Sequence, residues 1–419
     1  MNVLVLNSGS SSQKSCLYKL RDALPDDPPL PVWEGRIEWT SAHDNNNNQA
    51  QYSIKTSRGV LRKHVTSGGS RREDIERLLQ NLWSGETQAI SGPSEIDVVG
   101  HRVVHGGLRH FEPSIVTAEI KSAIEGVSAF APLHNHAELE GMEIAAKLLG
   151  PVPQVAVFDT GFHRTMPLPA ATYAGPYEWF EQGIRRYGFH GINHQYCAQR
   201  AAHLLDKDLN SLKLVTCHLG NGCSLAAIRE GRSVDTTMGF TPLEGLMMGT
   251  RCGSVDPGIL TYLMRQRKLS GQQLDGVLNQ KSGLLGVSGT SSDMREILAA
   301  SKNGDDPAKM ARAKLAFDIY IHRLRSGIGA MIAVLGGVDA LVFTAGVGEN
   351  SPEVRAAVCD NFAFLGLKVD QEKNAPSPLK NDQDISASDA AVRVLVIHAE
   401  EDWMIARQCW NLVRQQASG

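Results

Sequence analysis

No stretch of the sequence stays apolar long enough to cross a bilayer, so no membrane role is expected. Nor is there a signal peptide to expect, because the N-terminus has no basic lead and only Val3 to Leu6 is apolar before Asn7. The seven cysteines, Cys16, Cys197, Cys217, Cys223, Cys252, Cys359 and Cys409, are odd in number, widely spaced and never in C-x-x-C pairs. That argues against a disulfide frame or a zinc ribbon, and for free thiols in a reducing cytoplasm. An excess of either charge is also missing. A formal net charge of −3 offers no footprint for nucleic acid or a polybasic membrane contact. The P-loop pattern G-x-x-x-x-G-K-[ST] does not occur. What is present is an ordinary globular composition, 42% apolar and 21% charged, over 419 residues. That length exceeds what one core usually supports, so two domains working on small molecules are the default.

The informative stretch runs from Cys217 to Gly258. Leu214 to Cys217 and Cys223 to Ile228 are apolar runs around Leu219-Gly220-Asn221-Gly222, which reads as a hairpin whose Asn-Gly turn takes positive φ angles. Beyond it lie Asp235-Thr236-Thr237 and Gly249-Thr250-Arg251. Glycines that bare backbone N–H groups, hydroxyls and an arginine together suit an anion cradle. Residues 2–20 repeat the idea as strand, small-residue turn (Asn7 to Ser12), strand, with Lys14 behind the turn. Asn7 and Asn221 hold comparable places, an internal echo.

Along the chain, Trp33 to Thr40 and Gln51 to Lys55 alternate as strands, and residues 22–31 and 41–50 read as surface loops. Arg71 to Trp83 and Glu138 to Leu149 have helical spacing. Ile96 to Val99 and Val155 to Phe158 are buried-strand candidates, running into Arg102 and Asp159. Side chains just past the carboxyl ends of such strands commonly line ligand clefts. The second half repeats the order: Ser233 to Thr236, helices over 256–280, a long helix Ala308 to Leu335, a strand Ala340 to Thr344, a glycine loop Ala345 to Asn350, a helix from Pro352, a strand Val394 to Ile397 and a closing helix to about Gln415. A duplicated βββαβαβ unit with a phosphate turn in each copy predicts two lobes facing one nucleotide.

Seven separated motifs, LNSGSSSQK, GHRVVHGG, RRYGFHG, HLGNGCS, MGTRCGSVDPG, SGLLGVSGTSSDMR and FTAGVGEN, resemble in order those of the acetate and propionate kinases, within the sugar-kinase, Hsp70 and actin fold group. The resemblance implies a duplicated α/β, ribonuclease H-like fold. Its N-terminal lobe would span 1–159, with helix 402–419 packing back on it, and its nucleotide-binding lobe 160–401. It implies a homodimer of two-lobed chains and magnesium-dependent, reversible in-line transfer of the ATP γ-phosphoryl group to acetate. Manganese would substitute for magnesium, and propionate is the alternative acceptor.

Residue by residue, the resemblance places Asn7, Ser10, Ser12 and Lys14 near the transferring phosphoryl group and the metal. Arg102 and Arg251 bind the acyl carboxylate and the phosphoryl group, and His134, Asp159 and His190 match active-site positions. His218, Gly220, Asn221 and Gly222 match the nucleotide phosphate loop. Asp293, Met294 and Arg295, with Gly346, Gly348, Glu349 and Asn350, match the adenosine edges. Val104, Leu133, Phe189 and Pro242 match the wall around the acyl chain, where β-branched Val104 favours acetate. Asn7 and Glu401, with Glu400 beside it, match the metal site. The chain departs from the family pattern at Ile192-Asn193, where relatives usually carry Thr-Ser, and at Cys252-Gly253-Ser254.

The residue types suit the reaction. Acetate is ionised at neutral pH, with carboxyl pKa values near about 4 to 5, and needs no general base. It needs cations that bring it against another anion, and arginine forks supply them. Asp159 then orients an arginine or metal-bound water. The rival classes are a zinc or dimetal hydrolase assembled from His134, His136, Asp159, His163 and the His190-x-x-x-His194 spacing, and a nucleotide-driven binding protein of the same fold. Glycines flanking His190 argue against a helix there, and hence against the first rival.

Overall fold

The computed structural model describes the chain apart from residues 10, 11, 42–47, 60, 68, 129–131, 304, 305, 376–378, 418 and 419, and apart from the side chains of 40, 41, 48, 67, 132–134 and 417. Two compact units are present, Met1–Gly161 with Glu400–Gly419, and Phe162–Ala399.

In the first unit β1 (Asn2–Ser8), β2 (Ser12–Lys19), β3 (Trp33–Ser41), β4 (Asn48–Thr56), β5 (Leu61–Ser67), β6 (Val98–Val103), β7 (Ser114–Ile115) and β8 (Gln154–Phe158) form one sheet in the order β5-β4-β3-β2-β1-β6-β8-β7. In the second, β9 (Lys213–Leu219), β10 (Cys223–Arg229), β11 (Arg232–Thr236), β12 (Ala340–Thr344), β13 (Gln383–Asp384) and β14 (Arg393–Val396) form another, in the order β11-β10-β9-β12-β14-β13. The duplication is visible in the pairing. Strands β1, β2 and β3 are antiparallel and β1, β6 and β8 parallel, and the same pattern recurs with β9, β10, β11 and β9, β12, β14.

The parallel strands are buried on both faces, as their near-continuous apolar runs require. On one face of the first sheet Leu4, Leu6, Trp33 and Ile37 pack with Ile75, Leu78 and Leu79 of the helix Arg71–Gln80 and with Ile144 and Ala145 of the helix Pro132–Leu149. The closing helix Glu401–Ala417 sits against β6 at Gly100, where a Cβ would come within 2.6 Å of Cys409 Sγ and 2.7 Å of Ile405 Cγ2. Gly100 is thus a close-approach glycine. It lets that helix lie near enough to bring Glu401 and Asp402 to the ends of β1 and β6.

Several local expectations need correction. The β9–β10 connection has no positive φ at Asn221 or Gly222. Three residues separate Leu219 from its partner Cys223, and the loop closes by Gly220 N–H donating to the Gly222 carbonyl at 3.0 Å, which a two-residue turn cannot do. Asn7 and Asn221 are not equivalent residues, since Asn7 lies inside β1 opposite Lys14 and Asn221 is in the turn itself. Ala345–Asn350 is a short helix, not a loop, entered through Ala345 at φ 64°. The helix expected from Glu138 starts six residues earlier at Pro132, and a helix does follow His190, which caps it at φ 57°.

Candidate functional site

In the first unit the polar residues meet at the carboxyl ends of β1, β6 and β8. Arg102 projects from β6, and Asp159 follows β8, its N–H donating to the Val103 carbonyl. Arg102 Nη2 donates to Asp159 Oδ2 at 2.8 Å, and its Nε lies 3.8 Å from Glu401 Oε2. Burial disfavours the Arg102 charge, but Asp159, Glu401 and Glu138 outweigh it and hold its pKa above the ordinary arginine value. Asn7 Nδ2 donates to Asp402 Oδ1 at 3.2 Å and to Glu401 Oε2 at 3.5 Å. Lys14 Nζ is 2.7 Å from Asp402 Oδ2, so this expected nucleotide contact is an ion-pair partner of the closing helix. Burial raises the pKa of Glu401; Arg102 opposes the shift and Asp159 and Asp402 add to it. Ser12 opens β2. Ser10 and the side chains of Leu133 and His134 lie outside the described residues.

The carboxylates of Glu401 and Asp402 and the Asn7 amide offer oxygen donors here, which suits a hard cation such as magnesium. Among the described residues no three His, Cys, Asp or Glu side chains gather into a cage. One or two carboxylates, completed by waters and phosphate oxygens, is magnesium's usual arrangement, and Glu401 beside the Asn7 amide fits it.

In the second unit His190, Gly222 and Arg251 converge. Both side chains lie on the loop: a Cβ on Gly222 would stand in ordinary van der Waals contact, 3.5 Å from Arg251 Nη1 and 3.5 Å from His190 Nε2. The His190 ring stacks on His218 with centroids 3.9 Å apart. Its Nδ1 is 2.9 Å from Ser224 Oγ, which is 2.8 Å from His194 Nε2, and His194 Nδ1 is 2.7 Å from Thr216 Oγ1. Burial, with His163 and His218 adding, holds His194 well below the usual histidine range. This fixed chain leaves Nε2 of His190 facing the glycine loop.

Arg251 differs from Arg102. Its Nη1 donates to the Pro242 carbonyl at 3.0 Å, and no carboxylate pairs with it among the described residues. Burial therefore pulls its pKa below the ordinary value, with only Cys223 acting the other way. A part-buried guanidinium without a counter-charge is well placed to receive an anionic ligand. Pro242 holds Arg251 by its carbonyl, and Phe189 is buried with its carbonyl accepting from His163 Nε2.

Beside the loop opens a basin of about 860 Å³. Of the expected adenosine and phosphate residues, Gly220, Asn221, Asp293, Met294, Arg295, Gly346 and Asn350 line it. Gly348 and Glu349 face elsewhere: Gly348 packs near Phe343, and Glu349 Oε1 accepts the Ala399 N–H at 2.8 Å. Their backbone is held by a residue the motifs do not flag, Arg355, which is fully buried and donates to the Gly348 and Glu349 carbonyls at 2.9 and 2.7 Å. Asn193, one of the departures from the family pattern, is also fully buried; its Nδ2 donates to His218 Nδ1 at 2.8 Å and fixes that ring. Asp402 and Glu138 complete the residues that sequence reasoning missed.

Among the described residues the metal-hydrolase arrangement does not form. His163 bonds Ser233 Oγ and the Phe189 carbonyl, both ring nitrogens of His194 meet hydroxyls, and Asn135 bonds backbone carbonyls.

Residues 2–407 match the family model of the acetokinases. An acetate kinase of a Cyanothece species is 58% identical over 414 residues, 99% of each chain, and that of Gloeobacter violaceus is 58% identical over 419 residues, 99% of this chain and all of the other. Among solved structures, the acetate kinase of Porphyromonas gingivalis superposes with a TM-score of 0.87 at 39% identity, covering 98% of this chain and 99% of that one. A propionate kinase of Francisella tularensis gives 0.85 at 35% identity over 98% and 99%. The two sheets with their repeated pairing are the actin, Hsp70 and sugar-kinase arrangement that these structures share, and the chain belongs to the acetokinase family.

Proposed function

We propose that the protein catalyses reversible transfer of the γ-phosphoryl group of ATP to acetate, giving acetyl phosphate and ADP. The observation that carries this reading is Arg251, a part-buried guanidinium with no carboxylate partner among the described residues, set against His190, the glycine loop and a basin of nucleotide size. The basin takes the adenosine and Gly220 to Gly222 the phosphates. Arg251 and the Nε2 of His190 stabilise charge on the equatorial phosphoryl oxygens in a loose transition state. Arg102, held by Asp159, receives the acetate carboxylate, and Val104 with Phe189 and Pro242 limits its chain length. Magnesium, when bound, neutralises phosphate charge, and Glu401 and Asn7 are the residues to hold it. No proton is moved, since acetate attacks already ionised.

We place the enzyme in the cytoplasm, where its seven free cysteines stay reduced. We further propose a homodimer, because the helix Pro257–Gln266 buries no residue and exposes Ile259, Tyr262 and Met264.

The test is ADP formation with ATP and magnesium across formate, acetate, propionate and butyrate, with acyl phosphate trapped as its hydroxamate. Acetate-dependent ADP with equal hydroxamate is the expected result. ADP formed at the same rate without any acid would leave a simple ATPase and remove the roles given to both arginines.

A further inference from the structure

The helix Pro132–Leu149 turns two polar side chains, one helical turn apart, into the first unit's interior. Asn135 is 0% and Glu138 1% exposed, a depth at which such groups need partners. Their partners are backbone atoms of one short segment. The β6–β8 ladder ends where the Asp159 N–H donates to the Val103 carbonyl. The next N–H, that of Val104, has therefore left the sheet while the residue is still buried, and leaving it unmet would be costly. Both oxygens of Glu138 receive it, each at 3.1 Å. One residue on, Asn135 Nδ2 donates to the His105 carbonyl at 3.4 Å, and also to the Ile124 carbonyl at 3.1 Å in the helix Ala118–Gly126.

We propose that Asn135 and Glu138 form a clamp that sets the segment from Arg102 to His105, making Glu138 a positioning residue for acyl-carboxylate binding. The proposal rests on the reading of Arg102 and Val104 as the acyl site. Glu138 touches no reacting atom; it fixes the backbone from which the guanidinium and the β-branched wall project. Burial pushes its pKa up to about 8, against the pull of Arg102 and the Val104 N–H and with Asp159 adding to the rise. Toward Val104 its role is that of a hydrogen-bond acceptor. Glutamine preserves that acceptor at the same reach, whereas aspartate, one methylene shorter, withdraws it.

The test compares wild type, E138Q, E138D and E138A in steady state with acetate, propionate and ATP. In E138A and E138D the KM for acetate rises roughly 10-fold or more, the size expected for a lost buried hydrogen bond, while the KM for ATP stays within about twofold. Their preference for acetate over propionate narrows as Val104 loosens, and E138Q keeps wild-type values for both acids. An unchanged acetate KM in E138D, or E138Q as impaired as E138D, overturns the clamp. Should E138A fail to fold, the Gln–Asp contrast still decides. Wild type without acetate-dependent ADP formation would instead refute the functional reading itself, independently of these variants.

Discussion

Replacing Arg102 by methionine, similar in length and uncharged, removes the guanidinium that lies 2.8 Å from Asp159 Oδ2 and 3.8 Å from Glu401 Oε2. Asp159 is fully buried and Arg102 nearly so, with side-chain exposures of 0% and 14%. Stranding one partner of such a pair costs about 3–5 kcal/mol. For a unit of this size each kcal/mol moves Tm by roughly 2–4 °C, so a fall of roughly 6–20 °C is expected. Tryptophan fluorescence is a suitable probe, because Trp33, Trp39, Trp83, Trp403 and Trp410 lie in the first unit and Trp179 in the second. The deficit must also depend on pH. Glu401 and Glu138 already have raised pKa values, and Arg102 is what restrains both. Without it they rise further. A carboxyl raised in the folded state favours folding while protonated and loses that advantage as pH climbs through its unfolded value and on to its folded one. R102M should therefore be closer to wild type at pH 5.5 than at pH 8. Equal melting at pH 8, or a deficit that does not shrink on acidification, would refute the charge balance described for this corner.

R251Q gives the opposite pairing of effects. With no carboxylate to strand and a burial penalty removed, its Tm stays at or above wild type, while kcat/KM for acetate falls about 10²-fold or more; a marked loss of Tm would show a structural arginine. V104A enlarges the acyl wall, and one methylene of selectivity, about 1–3 kcal/mol, shifts toward propionate; an unchanged ratio of kcat/KM for the two acids would remove Val104 from that wall. His398, hydrogen-bonded to Asp382 at 3.1 Å, has its pKa raised to about 9, chiefly by that bond. Its stabilisation is complete below about pH 6.5 and is lost as pH rises through about 9. After discounting for its half-exposed setting it amounts to ~1–2 kcal/mol, so wild type should lose, and H398Q should not lose, that much between pH 6.5 and 9.5 in denaturant melts.

Much of this was legible because strong periodicity and glycine motifs are local. The long helix expected over Ala308 to Leu335 is Pro307–Leu335, and the strand before Asp159 ends at Phe158 as read. Strand β5 escaped notice because Leu61–Ser67 is mostly exposed and rich in basic residues, so it carries no burial pattern of its own; pairing with β4 makes it a strand. Ala345–Asn350 looked like a loop from its glycines, yet Gly348 packs beside Phe343, which holds the turn helical. Arg355 and Glu138 were invisible for another reason. Each matters through backbone groups, 6 and 7 residues away for the one and 34 for the other, and no side-chain spacing records such partners.

The repeated topology explains where chemistry can reside. Strands β1, β6, β8, β9 and β12 are buried almost throughout, and their polar side chains concentrate where the ladder stops, at the carboxyl ends. Both units obey this, but they fill those ends differently. In the first, Arg102 and Asp159 form an ion pair beside the neutral Asn7 amide, and the closing helix, admitted by Gly100, adds Glu401 and Asp402. In the second, β9 ends in His218-Leu219 and a glycine loop, and β12 in Thr344 and the helix of Ala345, so backbone N–H groups and imidazole rings predominate. A corner of balanced ions can orient a metal and a carboxylate because each added charge meets a counter-charge already in place. A corner of glycine backbone can take a polyphosphate at close range because no Cβ or fixed anion stands in its way. One duplicated framework thus yields two chemically distinct ends, and the difference lies in a few residues at or next to the end of each strand.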